Sequence, residues 1–339
     1  MRICDIGGWT DTWFAVHGQV LNIAVTPGVH AELRCAAASG RAAQTHIHAE
    51  DLSPGDDPAH ADPLLEAAVR FLPPPRGLRV DVRVHSDTPA GSSTGTSAAT
   101  CVALLGALQL LWSGRFDPAE IARAAHRVET EALGQQSGIQ DQLAAAYGGI
   151  SFIEMDRYPH ATRHRVPVPA AVLRELERRL SVIFVGQSHR SSAVHEMVIR
   201  DLEGTGPDAP QLVRLRELAQ RAREALTAGD LHAFGDIIID NTDAQADLHA
   251  ELVGPRHRRI IDIARRQDAW GWKVNGAGGA GGSVTLLHSP SDSERRETLR
   301  LIRADDETFR AIPITLSDSG LHVWECQRTA ARAPHALEI

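Results

Sequence analysis

The chain has 339 residues, of which 43% are hydrophobic, enough for one large or two ordinary domains with a real core. Its formal net charge of −8 excludes non-specific nucleic-acid binding, which needs a basic surface. No apolar run reaches the roughly 20 residues that span a bilayer, and the N-terminus has no signal-peptide pattern. The four cysteines are scattered without metal-ligand spacing, so we expect free thiols and a cytoplasmic protein.

The N-terminal region is predicted to form strands around a turn. The turn is Gly7–Thr12, and strands are expected over residues 20–25 and 29–33. Residues 50–63 are polar and rich in Pro and Asp, which indicates a surface loop. Asp62 and Pro63 then begin a short helix that reaches about Phe71.

The most informative segment joins a strand to a helix. Residues 78–84 alternate between apolar and polar side chains, which predicts a half-buried strand, and residues 97–112 are almost wholly apolar, which predicts a buried helix. The loop between them, Asp87–Thr96, is rich in glycine and hydroxyl side chains. A helix N-terminus has unpaired N–H groups and a partial positive charge, and glycines let a phosphate approach the backbone. The loop therefore predicts nucleotide phosphate binding.

The phosphate-binding loop lacks the lysine of a P-loop. Lys273 is the only lysine in the chain, whereas a P-loop requires a lysine next to its last glycine. The loop at residues 89–97 is therefore not a P-loop. The chain also lacks the His-Arg-Asp and Asp-Phe-Gly motifs of protein kinases.

The rest of the chain mixes helices and strands without a strict βαβ rhythm, which favours an α+β fold. The polar segment 158–169 is predicted to be an interdomain stretch. Helices are expected at residues 118–133, 139–147, 191–202, 210–228, 230–248, 256–269 and 292–304, and strands at residues 150–154, 181–185, 272–275, 283–287, 312–315 and 320–325.

Three motifs, in order along the chain, resemble those of the GHMP kinase family of small-molecule kinases. They are Arg2–Thr12, Pro89–Ala99 and Lys273–Gly279. Gly-Gly-Trp-Thr-Asp-Thr in the first motif and Ser137–Gln142 are similar to the sugar 1-kinase branch, which includes heptose 7-phosphate kinases and fucokinases. The resemblance implies a two-domain fold: an N-terminal domain (residues 1–165) like ribosomal protein S5 domain 2, and a ferredoxin-like C-terminal domain (residues 166–339).

The resemblance also implies ATP and Mg²⁺ as cofactors and assigns roles to residues. Asp141 is the candidate catalytic base, and Arg2 is the cation that keeps it ionised and in place. Ser97 and Glu129 are the candidate metal pair, with Glu131 as a competing ligand; a surface pairing of Glu129 with a nearby arginine stays open. The candidate ATP loop consists of Pro89, Gly91, Ser92, Ser93, Thr94, Gly95, Thr96 and Ser97.

The candidate acceptor site combines the first and third motifs with a basic segment. Asp11 would accept hydrogen bonds from sugar hydroxyls, and Trp9 would lie against a sugar face. Arg190 would bind a terminal phosphate, although a surface arginine at a helix start is an equal alternative. A structural turn at Asp11 and a plain hairpin at the glycine run also stay open. The candidate residues are Gly8, Trp9, Thr10, Asp11, Arg190, Ser191, Gly276, Gly278 and Gly279.

The predicted activity is phosphorylation of the anomeric hydroxyl of a sugar phosphate, such as a heptose 7-phosphate or an octose 8-phosphate, on the way to a nucleotide-activated sugar. One alternative is a 1-kinase of a free sugar such as fucose, galactose or a uronic acid. An alternative of another class is a non-catalytic sugar or nucleotide sensor on the same fold. The expected partner is the small-molecule substrate, with no nucleic acid and no membrane; a homodimer stays open.

Overall fold

The fold was obtained as a computed structural model that describes residues 1–38, 44–50, 62–187, 191–202 and 204–326. The predicted loop at residues 50–63 lies mostly outside the described residues. The strands are β1 (Arg2–Ile6), β2 (Gly18–Thr26), β3 (Val29–Ala37), β4 (Gln44–Glu50), β5 (Leu78–Ser86), β6 (Ile150–Arg157), β7 (His160–Arg165), β8 (Leu180–Phe184), β9 (Gly271–Val274), β10 (Ser283–Leu287), β11 (Arg310–Ile312) and β12 (Thr315–Leu316). The helices are α1 (Pro63–Phe71), α2 (Thr96–Ser113), α3 (Pro118–Arg127), α4 (Gln140–Tyr147), α5 (Ala170–Arg179), α6 (Ser191–Leu202), α7 (Pro210–Ala228), α8 (Leu231–Leu248), α9 (Pro255–Arg266) and α10 (Asp292–Asp305).

The N-terminal part contains two sheets. One has the order β1-β2-β6-β7, and the other has the order β3-β5-β4, in which β4 runs parallel to β5. The apolar face of β5 (Val80, Val82 and Val84) packs in one cluster with Leu104 and Leu105 of α2. This packing places the loop that precedes α2 at the end of a buried helix.

Half of the predicted interdomain stretch at residues 158–169 is a strand. Residues 160–165 form β7, which pairs antiparallel with β6 from Ser151↔Arg165 to Arg157↔His160. The strand is at the sheet edge and bears mostly exposed or half-buried polar side chains, so its composition is that of a loop. The prediction also placed no element at α5, and it extended α3 to residue 133 as a regular helix.

The C-terminal part is built on one antiparallel sheet with the order β11-β8-β10-β9. Numbered as they occur within this part, the strands have the order 4-1-3-2. Helices connect β8 to β9, and α10 connects β10 to β11. This is the ferredoxin-like split βαβ arrangement, as the resemblance implies.

After β11 the chain returns to the N-terminal part. Strand β12 pairs with β2, and Leu321 donates its N–H to Ala146 O at 3.1 Å. The predicted strand at residues 320–325 is wrong, because these residues belong to no strand and Leu321 contacts α2 and α4 instead. The tail makes contact with α2 at Gly106, where a Cβ would lie 2.6 Å from the Leu321 side chain. The described tail therefore belongs to the N-terminal layer, although its residues fall in the predicted C-terminal domain.

Within the described residues, α2 is long and apolar enough to cross a membrane by length and composition. Half of that window is buried inside the fold, and α2 packs against β3, α1, α3 and α4. This environment is that of a core helix. The four cysteines are free, as predicted.

Candidate active site

The loop before α2 has the backbone shape of an anion cradle. Gly91, Ser93 and Gly95 have φ values of 72°, 58° and 73°, so left-handed residues alternate along it. Alternating right- and left-handed residues turn successive N–H groups toward one concave face, which attracts anions. Gly95 is the N-cap of α2, and no side chain caps that helix. The N–H groups of its first turn are thus left for a phosphate.

The hydroxyl groups of this loop divide into two sets. Ser92 and Thr94 are buried and bond each other through their hydroxyls at 2.7 Å, so they shape the loop from within. Ser93 and Thr96 are half-buried, and Ser97 is exposed. Of the predicted ATP-loop hydroxyls, these three are the ones open to a ligand. Pro89 closes the entry of the loop by accepting the Ser92 N–H at 3.2 Å.

Arg2 and Asp141 form the centre of the site. Arg2 Nε lies 2.7 Å from Asp141 Oδ1, and Nη2 lies 3.0 Å from Oδ2, which is a bidentate ion pair. Arg2 also donates through Nη1 to Ser93 O and through its backbone N–H to Thr94 O. Burial lowers the pKa of Arg2, but the carboxylates of Asp141 and Asp5 outweigh it and raise that pKa. Arg2 is therefore a permanent cation that joins the loop to Asp141.

Asp141 lies directly against the loop. It is in the first turn of α4, and a Cβ on Gly95 would be only 3.2 Å from its Oδ2. The Asp141 side chain keeps 25% of its surface exposed, whereas Arg2 keeps 5%. The carboxylate is thus fixed on one side by Arg2 and open on the other, as a proton acceptor next to bound phosphate needs to be.

Glu129 and Glu131 lie in different environments on a π-helical turn over Val128–Ala132, which follows α3. Glu129 is buried there, and its Oε2 accepts from Ser137 Oγ and Gln142 Nε2, each at 2.7 Å. Glu131 is exposed and pairs with Arg127. Burial, together with the nearby charge of Asp141, raises the pKa of Glu129 to about 7, although hydrogen bonds from Ser137 and Gln142 lower it. The surface alternative for Glu129 is therefore wrong.

Asp11 is buried beside α4. Its Oδ2 accepts the Gln140 N–H at 3.1 Å, and Gly138 leaves room for it, since a Cβ there would lie 2.1 Å from Oδ2. Gly8 lies nearby, where a Cβ would be 3.3 Å from Gln140 Nε2. Burial, together with the carboxylates of Asp141 and Asp5, raises the pKa of Asp11 to about 6, although the hydrogen bond from the Gln140 N–H lowers it.

Asp11 is 2% exposed, and two further predicted acceptor residues are similarly enclosed. Trp9 has a φ of 79° and is 6% exposed within the core, so little of its indole is open to a sugar face. Thr10 is fully buried, and its hydroxyl donates to Gly7 O at 2.7 Å. The aromatic ring that faces outward is Trp13, which is 47% exposed and donates to Gln136, just before the Ser137–Gln142 motif. The sequence could have pointed to Trp13, because aromatic residues make up only 4% of the chain and this one directly follows the Asp-Thr turn.

The glycines of the third motif contact different parts of the structure. Gly276 meets the phosphate loop, because a Cβ there would lie 3.1 Å from Ser93 O and 3.3 Å from Arg2 Nη2. Gly278 and Gly279 pack instead on the segment before α9, where a Cβ on Gly278 would be 1.9 Å from Leu252 O. Gly276 is thus the one of the three predicted glycines that these contacts bring to the site.

The predicted phosphate clamp falls at the limit of the described residues. Arg190 lies outside them. Ser191 is the first residue of α6, and its side chain is not among those described.

Charges in the described part of the site leave an excess of carboxylates. Arg2 interacts with three acids at once, and Lys273 Nζ lies 3.6 Å from Asp5 Oδ1. Glu129 and Ser97 offer hard oxygen donors, which are the ligands that Mg²⁺ prefers. The described residues hold no group of three or more His, Cys, Asp or Glu side chains that could bind a metal by themselves, so donor phosphates and water would have to complete the coordination of Mg²⁺ at these donors. The acids of the cluster are Asp5, Asp11, Glu129 and Asp141.

We expect acceptor affinity to fall in acid because of Asp11. Its pKa near 6 means that lowering the pH from 8 to 5 protonates the carboxylate, which then loses hydrogen-bond acceptor sites. KM for the acceptor should rise about tenfold between these two pH values, and its pH dependence should fit the titration of a single group with an apparent pKa near 6. In Asp11→Asn the same KM should be high and nearly independent of pH. A KM–pH curve for the variant that matches the native one would assign the effect to another group.

The chain is similar to known kinases over most of its length. Residues 63–149 match the family "GHMP kinases N terminal domain". The chain is 28% identical over 322 residues to the bifunctional fucokinase/GDP-fucose pyrophosphorylase of Arabidopsis thaliana, covering 88% of this chain and 30% of that protein. It is 25% identical over 214 residues to the D-glycero-alpha-D-manno-heptose 7-phosphate kinase of Campylobacter jejuni, covering 63% and 62%. Archaeal mevalonate kinases match over comparable lengths.

The chain thus spans less than two thirds of the length of these first relatives. Among solved structures, the D-glycero-D-manno-heptose 1-phosphate kinase from Bacteriodes thetaiotaomicron superposes with a TM-score of 0.71 at 20% identity, covering 96% of this chain and 98% of that one. The mixed α+β architecture described above is therefore that of these kinases. Residues 63–149 thus match a GHMP kinases N-terminal domain, and the chain as a whole has the fold of these kinases.

Proposed function

We propose that this protein is an ATP- and Mg²⁺-dependent kinase that phosphorylates the anomeric hydroxyl of a sugar phosphate, such as a heptose 7-phosphate or an octose 8-phosphate, towards a nucleotide-activated sugar. The observation that carries the proposal is the Asp141 carboxylate, held bidentately by Arg2 and packed against Gly95 at the start of α2. A proton acceptor thereby stands next to a phosphate cradle, which is what phosphoryl transfer to a hydroxyl requires.

Each element then has a task in the transfer. The cradle at Gly91–Gly95 and the first turn of α2 would bind the phosphates of the donor, and Glu129 with Ser97 would hold the metal ion. Bound there, Mg²⁺ would neutralise charge on the transferring phosphate. The sugar O1 forms a bond to the γ-phosphorus, the bond from that phosphorus to ADP breaks, and the O1 proton passes to Asp141.

The acceptor would lie between Asp141 and the turn of the first motif. The charge of Asp141 acts on Asp11, which would accept hydrogen bonds from hydroxyl groups of the sugar. The exposed ring of Trp13 would border the entrance to the acceptor site. An anomeric hydroxyl is more acidic than an ordinary alcohol, so it makes a modest demand on an aspartate base. This match between a carboxylate base and an acidic hydroxyl supports transfer to C1.

A 1-kinase of a free sugar is the second candidate. It is supported by the similarity to a fucokinase over 88% of the chain. A non-catalytic sensor is disfavoured, because the site retains the base, the cradle and the candidate metal donors together.

The test is a panel of acceptors read as ADP release. We expect kcat/KM for a heptose 7-phosphate or an octose 8-phosphate to exceed that for fucose, galactose, glucuronic acid or mevalonate by roughly 100-fold, since a bound terminal phosphate contributes charge-assisted hydrogen bonds. Arg190→Ala should reduce turnover of the phosphorylated acceptors alone. Free sugars that react as fast as their phosphates would establish the second candidate, and undetectable ADP release with every acceptor in the panel would favour the sensor.

A further inference from the structure

The single lysine of the chain is buried between the two parts of the fold. Lys273 lies in β9 with 1% of its side chain exposed. Its Nζ donates to Gln245 Oε1 at 2.8 Å and to Val274 O, and it lies 3.6 Å from Asp5 Oδ1. A buried ammonium is costly unless carboxylate and amide oxygens surround it in this way. None of the steps proposed for phosphoryl transfer involves this lysine.

Asp5 reaches Lys273 because β1 is irregular at its centre. The pairing of β1 with β2 shifts between Ile3 and Ile6, and Cys4 has a φ of 51°. The shift releases the Cys4 N–H from the ladder, and it donates to Asn275 Oδ1 at 3.1 Å instead. A bulge of this kind re-aims the next side chain, here Asp5, toward the third motif.

Asp5 and Gln245, which both contact Lys273, also bind the backbone of Gly276. Both carboxylate oxygens of Asp5 accept the Gly276 N–H at 3.1 Å. Gln245 Nε2 donates to Gly276 O at 2.9 Å. The N–H and the carbonyl of this residue are therefore both fixed by side chains that Lys273 itself contacts.

Gly276 in turn lies against the candidate catalytic groups. It has a φ of 61°, and a Cβ there would be 3.1 Å from Ser93 Cβ and 3.3 Å from Arg2 Nη2. Ser93 O accepts from Arg2, which holds Asp141. A displacement of Gly276 would therefore reach the base through two contacts.

We propose that Lys273 is a positioning residue for phosphoryl transfer: with Asp5 and Gln245 it fixes the Gly276 backbone against Ser93 and Arg2, and so sets the position of Asp141 relative to the phosphate loop. The inference rests on the proposed kinase function. A buried ion pair adds little to stability when compared with apolar groups of equal volume. Here the ion pair instead orients the Gly276 backbone.

The test uses two variants of the full chain and one matched control. The double variant Lys273→Met with Asp5→Asn removes both charges without leaving either one unpaired. Gln245→Leu keeps both charges but removes the donor to Gly276 O, together with the amide oxygen that accepts from Lys273 Nζ. Thr242→Val is the control, since Thr242 lies one turn before Gln245 and donates to Ile238 O and Trp272 O but does not touch Gly276.

We expect kcat to fall roughly 30-fold or more in both variants, with KM for ATP and for the acceptor changed less than about threefold, because a small misplacement of a base costs turnover rather than binding. The control should keep the native kcat even if its Tm falls. Native kcat in both variants, or an equal loss in the control, would overturn the role of Lys273.

The single lysine also gives an independent readout. A chain labelled with ¹⁵N-lysine carries one Nζ resonance, which should shift when AMP-PNP and Mg²⁺ bind the loop against which Gly276 packs. No shift at a nucleotide concentration that calorimetry shows to be saturating would overturn the coupling. Failure of the proposed function is seen separately, as a native chain that phosphorylates no acceptor.

Discussion

Asp141→Asn should lower kcat by roughly 1,000-fold, the usual contribution of a general base. The substitution keeps the size of the side chain and an oxygen beside Arg2, which now holds the carboxylate at 2.7 Å and 3.0 Å. The proton of the sugar hydroxyl would have no acceptor, while the phosphate cradle would be unchanged. Steady-state ADP release measures the loss, and calorimetry with AMP-PNP should give a Kd within about threefold of native.

Asp247→Asn is the matched control for this variant. Asp247 is exposed and pairs with Arg214 on the surface, so its loss should leave turnover within about twofold of native. Near-native turnover in Asp141→Asn would remove Asp141 from the mechanism. A loss of both turnover and nucleotide binding would instead indicate that the variant disturbs the loop at Gly95.

Glu129→Gln should abolish efficient use of the metal ion. We expect kcat to fall on the order of 100-fold and the Mg²⁺ concentration for half-maximal rate to rise at least about tenfold, because one anionic ligand becomes neutral. Glutamine keeps an oxygen that can accept from Ser137 and Gln142, so the π-helical turn should persist. Rates measured across a Mg²⁺ titration check both numbers.

The neighbouring acid supplies the control. Glu131→Gln changes the same functional group two residues away, on the exposed side of the same turn, where Glu131 pairs with Arg127. Its Mg²⁺ curve should overlay the native curve. If the two variants behave alike, the burial of Glu129 has no bearing on the metal, and the assignment of the metal pair is wrong.

Local patterns in the sequence predict most of the elements around the site. Asp62 and Asp117 do cap α1 and α3, with a proline at the first helical position in each case. The alternation in β5 and the apolar run in α2 also place the phosphate loop between the correct strand and helix. These features depend on neighbours in sequence, so periodicity and capping residues suffice.

The features that the sequence does not reveal depend on contacts distant along the chain. Strand β7 is a polar edge strand, and its pattern is that of a loop until β6 pairs with it. The inward direction of Glu129 follows from a π-helical turn rather than from the helical period. The left-handed residues Cys4, Trp9 and Ser93 are not glycines, so no rule of composition predicts their conformation.

Transfer of phosphate to the anomeric oxygen, with Asp141 as the base, can be read from the product itself. We would record ³¹P–¹H correlation NMR on the product of the best acceptor in the panel. We expect a new phosphorus signal coupled to H1 of the sugar, formed by the native chain and not by Asp141→Asn in the same time. Phosphorus coupled to a proton at any other carbon, or formed equally fast by the variant, would contradict this expectation.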